Sequence, residues 1–232
     1  MRISIHQPYL FPYLGYFQLI YNSDIFVVYD DVTYIKGGHV NRNNILANGT
    51  VHRFSLPING ASSNLNFNEL SFNLNTKKLL RTFEQSYSKA KNFKDIMPII
   101  EDIINYKSRC VSELCLYSYK RIFDYLGIDK KLITSSSLEY DRSGDRTEKV
   151  LSICKVLEGV EYINAYGGKE LYTSSDFDRE GIKLSFLKKN SVQYSQHIED
   201  FKDNLSIIDV LMNNSIEEVK QLILQYKVIE GE

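Results

Sequence analysis

The run HQPYLFPYLGYF, positions 6 to 17, contains the first side chains that could form a ligand site. His6 and Gln7 directly follow Ile3-Ser4-Ile5, whose alternating pattern predicts a short strand that ends at this point. Ligands of open α/β sheets bind at the carboxyl ends of strands, so we expect His6, Gln7 and Tyr9 to contact a nucleotide or a sugar phosphate. The structural alternative is a strand-capping histidine in a loop that two prolines stiffen.

Two adjacent carboxylates, Asp30 and Asp31, follow the run from Asp24 to Tyr29. That run is almost wholly apolar, β-branched and aromatic, which is typical of a strand buried on both faces of a parallel sheet. Neighbouring side chains on a strand point to opposite faces, so we expect only Asp31 to share a pocket with His6. A carboxylate there would bind Mg²⁺ or act as a general base, and a turn or capping role is the alternative.

The segment KGGHVNRNN, positions 36 to 44, places many polar groups beside a glycine pair that permits a tight turn. Arg42 would clamp a phosphate or a carboxylate through two parallel hydrogen bonds. The glycine spacing differs from that of a P-loop, and a solvated surface turn is the alternative. The predicted substrate-binding residues of this segment are Lys36, Asn41, Arg42 and Asn43.

The last third of the chain holds further candidates near predicted element ends. Arg146 opens a predicted helix and would face a ligand, and Lys169 follows Tyr166-Gly167-Gly168 after a predicted strand at 161–165. Tyr194, Gln196 and His197 follow the next predicted strand and are weighed in the same way.

The elements that must position these residues alternate between strand and helix. We predict an α/β fold with a mainly parallel central sheet, Rossmann-like or nucleotidyltransferase-like, with a helical insertion. The chain 1–232 is expected to form a single domain, with a helical subdomain at about 76–126. The predicted strands lie at 3–5, 25–29, 51–57, 131–134, 161–165 and 183–187. The predicted helices lie at 13–22, 76–88, 93–126 with a break near Pro98, 146–157 and 216–226.

Composition excludes several classes of protein. Of the 232 residues, 43% are hydrophobic and 25% charged, which excludes a globally disordered chain. No apolar run reaches the ~18 residues of a membrane span, and the first residues lack the apolar core of a signal peptide. We therefore expect a cytoplasmic protein without membrane insertion. A net charge of −1 argues against nucleic-acid binding by bulk charge, and the three cysteines lack metal-ligand spacing, so no metal site is predicted.

The opening stretch HQPYLFPYLGYFQLIYNSDIFVVYDDVTYIKGGHVNRNNI resembles the signature of the WbqC-like protein family. The stretches EKVLSICKVLEGVEYINAYGGKELY and LSIIDVLMNN resemble the family's second and third signatures, so the resemblance covers nearly the whole chain. The chain departs from the pattern in its middle and at Ala165-Tyr166, where the family more often has a Ser-Gly pair.

The resemblance implies a place in bacterial surface-polysaccharide biosynthesis. Members are commonly encoded among genes for O-antigen and related polysaccharides, and such gene clusters make nucleotide-linked amino sugars and decorate them. Carried over by motif, the functional weight falls on His6, Gln7, Asp31, Asn41 and Arg42.

Three functions remain open at this point. The first is N-acyl or N-aminoacyl transfer to the amine of a nucleotide-linked amino sugar. His6 would be the base, Asp31 would orient it, and Gln7, Asn41 or Arg42 would hold the carbonyl oxygen.

The second is an ATP-dependent nucleotidyl- or adenylyl-transferring enzyme, although Gly15-Tyr16 stands where the second histidine of that signature is expected. The third is a non-catalytic binding or assembly protein of the same pathway. The implied co-substrates are ATP or an acyl donor, and the oligomeric state is left open.

Overall fold

The computed structural model describes residues 1–196 and 198–231. Its helices and strands, in chain order, are β1 (Arg2–His6), α1 (Leu14–Asn22), β2 (Ile25–Val28), β3 (Arg42–Ala47), β4 (Thr50–Ser55), β5 (Ile58–Asn59), β6 (Ser71–Phe72), α2 (Lys77–Tyr87), α3 (Phe93–Ile104), α4 (Val111–Tyr125), β7 (Lys131–Thr134), α5 (Arg146–Val156), β8 (Glu161–Ala165), α6 (Ser174–Asp178), β9 (Lys183–Lys189), α7 (Ile207–Asn213), α8 (Ile216–Ile223) and β10 (Tyr226–Glu230).

The central sheet has six strands in the order β10-β9-β8-β1-β2-β7. The five strands from β9 to β7 are parallel, and β10 is antiparallel to β9. Counted along the chain, the parallel strands stand in the order 3-2-1-4-5 when read from β7 to β9. The direction of chain progress therefore reverses between β1 and β8. The prediction of a mixed α/β fold with a mainly parallel central sheet is confirmed.

Strand β2 is an inner strand, as predicted, and both of its faces are buried. All four of its residues are at most 2% exposed. Phe26 and Val28 belong to the larger cluster of buried side chains, which extends into α1 and α4. Ile25 and Val27 belong to a second cluster on the other face, together with residues of α5. The unbroken apolar run of β2 follows from this two-sided burial.

The predicted long helix at 93–126 is two helices, and its break is not at Pro98. Helix α3 continues through Pro98, which is exposed on its surface. The break lies at 105–110, where Arg109 donates one hydrogen bond to the Ile104 carbonyl (2.7 Å) and another to the Asn73 carbonyl (2.7 Å). The predicted stop after the second helix is confirmed, since Gly127 has a φ of 64° just past α4.

A hairpin outside the central sheet contains the second half of the segment 36–44. From Arg42 onward this segment, for which a surface turn was the alternative prediction, forms β3, and the strand predicted at 51–57 is present as its partner β4 at Thr50–Ser55. The two-residue turn between them, Asn48-Gly49, has φ angles of 49° and 74°, which suits an Asn-Gly pair in a tight hairpin. The predicted closing helix 216–226 likewise ends at Ile223, and β10 follows it.

Tyrosines from two helices hold the backbone that leaves β1, residues 7–12, which we call the 7–12 segment. The Tyr119 hydroxyl accepts from the Tyr9 N–H and donates to the Tyr9 carbonyl, both at 2.8 Å. The Tyr16 hydroxyl donates to the Gln7 carbonyl at 2.8 Å. Tyr119 is fully buried in α4, so the helical insertion packs on the sheet and supports the exit of β1.

The rest of the 7–12 segment is bonded by more distant parts of the chain. The Leu10 N–H donates to the Val40 carbonyl at 2.8 Å. The Phe11 carbonyl accepts from the Asn43 side chain at 2.9 Å and from the Ser206 hydroxyl at 2.8 Å. These partners hold Phe11 at a φ of 50°, a conformation uncommon for a bulky residue.

Within the described residues, no helix combines the length and the apolar character that crossing a membrane requires.

Replacement of the Tyr119 hydroxyl tests the support of the 7–12 segment. Tyr119→Phe leaves the N–H and the carbonyl of Tyr9 without their partner, so we expect the free energy of unfolding to fall by about 1–3 kcal/mol in urea titrations. Tyr117→Phe on the same helix is the matched control. Its hydroxyl bonds to Asp102 at the surface, and a change within about 0.5 kcal/mol is expected. Equal losses in both variants would contradict the supporting role of Tyr119.

Candidate functional site

A crevice of about 520 Å³ opens at the carboxyl ends of β1 and β8, where the strand order reverses. This is the position at which open α/β sheets bind ligands, so we call it the switch-point crevice. Side chains from β1, the 7–12 segment, the 35–40 loop, the start of α5 and the end of β8 line it. Six of the lining residues are tyrosines: Tyr9, Tyr13, Tyr16, Tyr29, Tyr162 and Tyr172.

His6, the last residue of β1, lies in the wall of the crevice. Its ring stacks on Phe26 with centroids 6.3 Å apart and meets Tyr16 edge-on at 5.8 Å. His6 keeps a little exposed surface, but its Nε2 is buried and has no hydrogen-bond partner among residues 1–196 and 198–231. An unpartnered buried polar atom in a crevice wall is a position that a ligand can satisfy.

The pKa of His6 lies well below neutrality because the ring is buried. Burial lowers the pKa from 6.5 to about 4, and the side chain of Asn164 opposes part of this shift. The imidazole is therefore neutral at pH 7 and keeps a nitrogen lone pair for a donor. The sequence predicts a base at His6, a role that suits an imidazole titrating near neutrality, and burial against Phe26 and Tyr16 lowers the pKa of this one.

Asn164 faces His6 across the reversal point, and the sequence analysis did not select it. It is 5% exposed at the end of β8, and its Oδ1 accepts from the Ala165 N–H at 2.8 Å. A Cβ on Gly168 would lie 2.7 Å from Asn164 Nδ2, so a glycine is needed there for the amide to fit. A polar residue at the end of a predicted strand is the sequence feature that indicates Asn164, but the predicted site residue, Lys169, lies in the loop that follows.

Arg146 supplies positive charge to the crevice. It is the first residue of α5, whose start is fixed by a capping box. Asp145 accepts from the Glu148 N–H at 2.9 Å, and the Glu148 carboxylate accepts from the Asp145 N–H at 2.7 Å. Burial raises the pKa of Tyr172 in the crevice wall, and the nearby charge of Arg146 opposes this shift. Among the described residues that line the crevice there is no Asp or Glu.

Four of the predicted site residues line the crevice, namely His6, Gln7, Tyr9 and Arg146. Asn41 and Asn43 are engaged in the fold instead. Asn41 donates to the Leu56 carbonyl at 3.0 Å, and Asn43 supports the 7–12 segment.

The predicted cations other than Arg146 do not line the crevice. A guanidinium nitrogen of Arg42 lies 3.8 Å from the position that a Cβ on Gly37 would occupy. The charge of Arg42 opposes the rise in the pKa of Tyr9 that burial causes. Lys36 is exposed in the adjoining turn, and Lys169 is half-buried in the 166–171 turn.

Asp31 is placed behind the crevice wall rather than in it. Its carboxylate accepts from Ser135, from the Tyr140 hydroxyl at 2.9 Å and from Arg142 Nε at 2.8 Å. The described contacts do not pair it with His6, whose ring is oriented by its aromatic neighbours. The catalytic roles assigned to His6 and Asp31 stay predictions.

The last candidates from the sequence belong to another network. Tyr194 donates to the buried Asp209 at 2.8 Å, and Gln196 donates to the Lys202 carbonyl at 2.7 Å. His197 lies outside the described residues. Within the part of the chain that the structure describes, no three His, Cys, Asp or Glu side chains are grouped so as to hold a metal ion.

The lowered pKa of His6 predicts a pH-dependent stability. The unfolded chain titrates near 6.5 and the folded protein near 4, so the unfolded state binds more protons between these values. The stability contributed by neutral His6 is present above pH 6.5 and is lost as the pH falls to 4, by up to about 3 kcal/mol. Urea unfolding at pH 7.5 and 4.5 should show a smaller acid loss in His6→Gln than in the wild type. Equal losses would contradict the burial of an uncharged His6.

Comparison with known proteins identifies the family. The model of the WbqC-like protein family matches residues 7–221. A curated relative from Mycobacterium tuberculosis (strain ATCC 25618 / H37Rv), "Uncharacterized protein Rv1507c", is 26% identical over 219 residues, which cover 91% of this chain and 93% of the relative. No solved structure matches this chain. With the match extending from the residue after His6 into the last helix, the chain belongs to the WbqC-like protein family.

Proposed function

We propose that this protein transfers an acyl or aminoacyl group to the amine of a nucleotide-linked amino sugar bound in the switch-point crevice. The observation that carries the proposal is His6 Nε2, a buried ring nitrogen without a hydrogen-bond partner among the described residues, in the wall of a ligand-sized crevice. A neutral imidazole in this position can take a proton from the attacking amine, whose nitrogen becomes acidic as it bonds to the carbonyl carbon.

The form of the crevice supports a nucleotide-linked sugar as ligand. The strand order 3-2-1-4-5 is that of the first five strands of a Rossmann-like sheet, and the crevice lies at its reversal point. Tyrosine rings offer faces for a base or a sugar and hydroxyls for its polar groups. Arg146 would pair with a phosphate, and the described lining holds no carboxylate to repel one. The amino-sugar part of the proposal is supported by the association of WbqC-like genes with surface polysaccharides.

The proposed step is a displacement at the carbonyl of an acyl donor. The amine nitrogen bonds to the carbonyl carbon, the bond to the leaving group breaks, and the amine proton passes to His6 Nε2 and from there to the leaving group. The Gln7 amide lines the crevice and is the candidate donor to the carbonyl oxygen while that oxygen carries negative charge. Asn41, also considered for this role, already donates its amide to Leu56.

A second candidate, ATP-dependent nucleotidyl or adenylyl transfer, is favoured by the same strand order. The two candidates separate on their products, because adenylyl transfer releases pyrophosphate and acyl transfer to an amine does not.

Substitution of His6 tests its catalytic part. With UDP-linked amino sugars and a panel of acyl donors, product formation is followed by mass spectrometry. His6→Gln is expected to lower kcat by about 10²–10⁴ while the protein stays folded. His52→Gln, at an exposed histidine of β4 that does not line the crevice, is the control and should change kcat by less than about tenfold. Turnover of a folded His6→Gln protein at the wild-type rate would remove His6 from the chemistry.

The pH profile tests the state of the substrate amine. The described crevice wall has no carboxylate to bind an ammonium group, so the amine must enter neutral. We expect the acid limb of kcat/KM to follow the pKa of the amine and to move between two amino sugars whose amines differ in pKa. A limb that stays at one pH for both substrates would assign it to the protein and contradict this expectation.

A further inference from the structure

We propose that Asp31 is a positioning residue for Arg146: it fixes the segment that leads into α5, so that the Arg146 guanidinium stands over the crevice and pairs with a phosphate of the ligand. The inference rests on the proposed function for the class of ligand, a nucleoside diphosphate or its sugar. Asp31, which the sequence predicted as a site residue and which does not line the crevice, would thus act by supporting the backbone.

The contacts of Asp31 converge on one segment, residues 135–142. Besides its bonds to Ser135 and Tyr140, Asp31 forms an ion pair with Arg142, in which the carboxylate side chain is 9% exposed. The Arg142 guanidinium also lies over the Tyr140 ring at 4.1 Å and donates to the Leu138 carbonyl at 2.9 Å. A carboxylate at the end of β2 therefore ties down most of this connection.

The preceding residue ties the same segment to the sheet. Asp30, 1% exposed, accepts from the Ser136 N–H at 2.9 Å and from the Ser136 hydroxyl at 2.9 Å. The Ser135 hydroxyl lies within hydrogen-bond distance of both carboxylates, at 3.1 Å from Asp30 Oδ1, and each carboxylate also has a partner of its own in the 135–142 segment.

The far end of the segment is joined to α5. Tyr140 is 8% exposed and packs in the same buried cluster as Val150 and Leu151 of α5. The Asp141 N–H donates to the Ser152 hydroxyl at 2.8 Å. Asp145 then caps the helix, and Arg146 follows as its first residue. A displacement at Asp31 is passed through Tyr140 to the helix that carries Arg146.

Arg146 depends on this support because no side-chain partner among residues 1–196 and 198–231 holds it. In the described residues its side chain forms no hydrogen bond and no ion pair of its own, whereas Arg142, four residues earlier, forms both. The direction of the Arg146 side chain is set by where α5 begins.

In Asp31→Asn, the loss of charge and the loss of positioning are expected to change the affinity for an anion in opposite directions. Removal of a negative charge near the crevice would strengthen the binding of an anion. Loss of the support for α5 would weaken it. A weakened affinity therefore reports positioning and cannot come from the charge.

The chain contains a matched control on another part of its surface. Asp102 accepts from the Tyr117 hydroxyl at 2.8 Å and from Arg121 Nε at 2.7 Å, the same two kinds of partner as Asp31. It connects α3 and α4 and does not line the crevice. Asp102→Asn removes the same charge and similar bonds without touching α5.

The experiment measures the binding of UDP, GDP, dTDP and inorganic pyrophosphate by isothermal titration calorimetry. The full-length proteins are the wild type, Asp31→Asn, Arg146→Gln, the double variant and Asp102→Asn. We expect Arg146→Gln to weaken the tightest probe about tenfold, Asp31→Asn about three- to tenfold, and Asp102→Asn less than twofold. The double variant should bind no more weakly than Arg146→Gln alone, because both changes remove one contact.

Each other outcome overturns a distinct claim. Unchanged or tighter binding by Asp31→Asn, or fully additive losses in the double variant, overturns the positioning role and leaves the proposed function intact. If Arg146→Gln binds the probes as tightly as the wild type does, Arg146 does not contact the phosphate, and the inference fails as well. If the wild type binds none of the probes, the proposed ligand class and the inference both fail. If Asp31→Asn does not fold, Tyr140→Phe takes its place with the same expected loss, because it removes a bond to Asp31 and leaves every charge unchanged.

Discussion

The structure depends on one constraint, that the backbone leaving β1 must find hydrogen-bond partners away from the sheet. Two prolines in the 7–12 segment reduce the number of donors to satisfy. The N–H groups of Tyr9 and Leu10 and the carbonyls of Gln7, Tyr9 and Phe11 are met by partners from α1, α4, the 35–40 loop, β3 and the start of α7. Since buried peptide groups are costly to leave unpaired, these contacts hold His6 and Gln7 at the edge of the crevice. The helical insertion and the hairpin are therefore part of the architecture of the site.

The sequence predicted the parts of the fold that follow local or periodic rules. The two-sided burial of β2, the strands around it and the end of α4 at Gly127 were all readable from apolar runs and a glycine. The hairpin β3–β4 was missed because the polar composition of 36–44 outweighed its Asn-Gly turn. Strand β10 was missed because an alternation of strands and helices predicts only parallel strands. Strand β10 follows a helix but pairs with β9 in the antiparallel direction. The helix break was misplaced because solvent exposure of Pro98 is a tertiary property.

The site was predictable to the extent that it follows strand ends. His6, Gln7 and Tyr9 were found by that rule and Arg146 by its place at the start of a predicted helix, and all four line one crevice. Asn164 obeys the same rule and was overlooked in favour of the glycines beside it. The roles of Asn41, Asn43 and Asp31 could not be read from sequence, because an amide or a carboxylate beside a predicted pocket looks the same whether it faces a ligand or supports the backbone. Only the identity of the partner, such as Phe11 for Asn43, separates the two.

The partners of the 7–12 segment also set when the crevice can form during synthesis. Tyr119 follows Tyr9 by 110 residues, and Ser206 follows Phe11 by 195. At about 5–20 residues per second, the ribosome delivers the last of these partners on the order of 10–40 s after the segment itself. Until α4 has been made, β1 and β2 are present with their apolar faces uncovered on its side, and until Ser206 has been made the exit of β1 lacks its last partner. The ligand site therefore forms late in synthesis, although the first residues of the chain line it. Before synthesis ends, β1 and β2 are the strands most exposed to incorrect association.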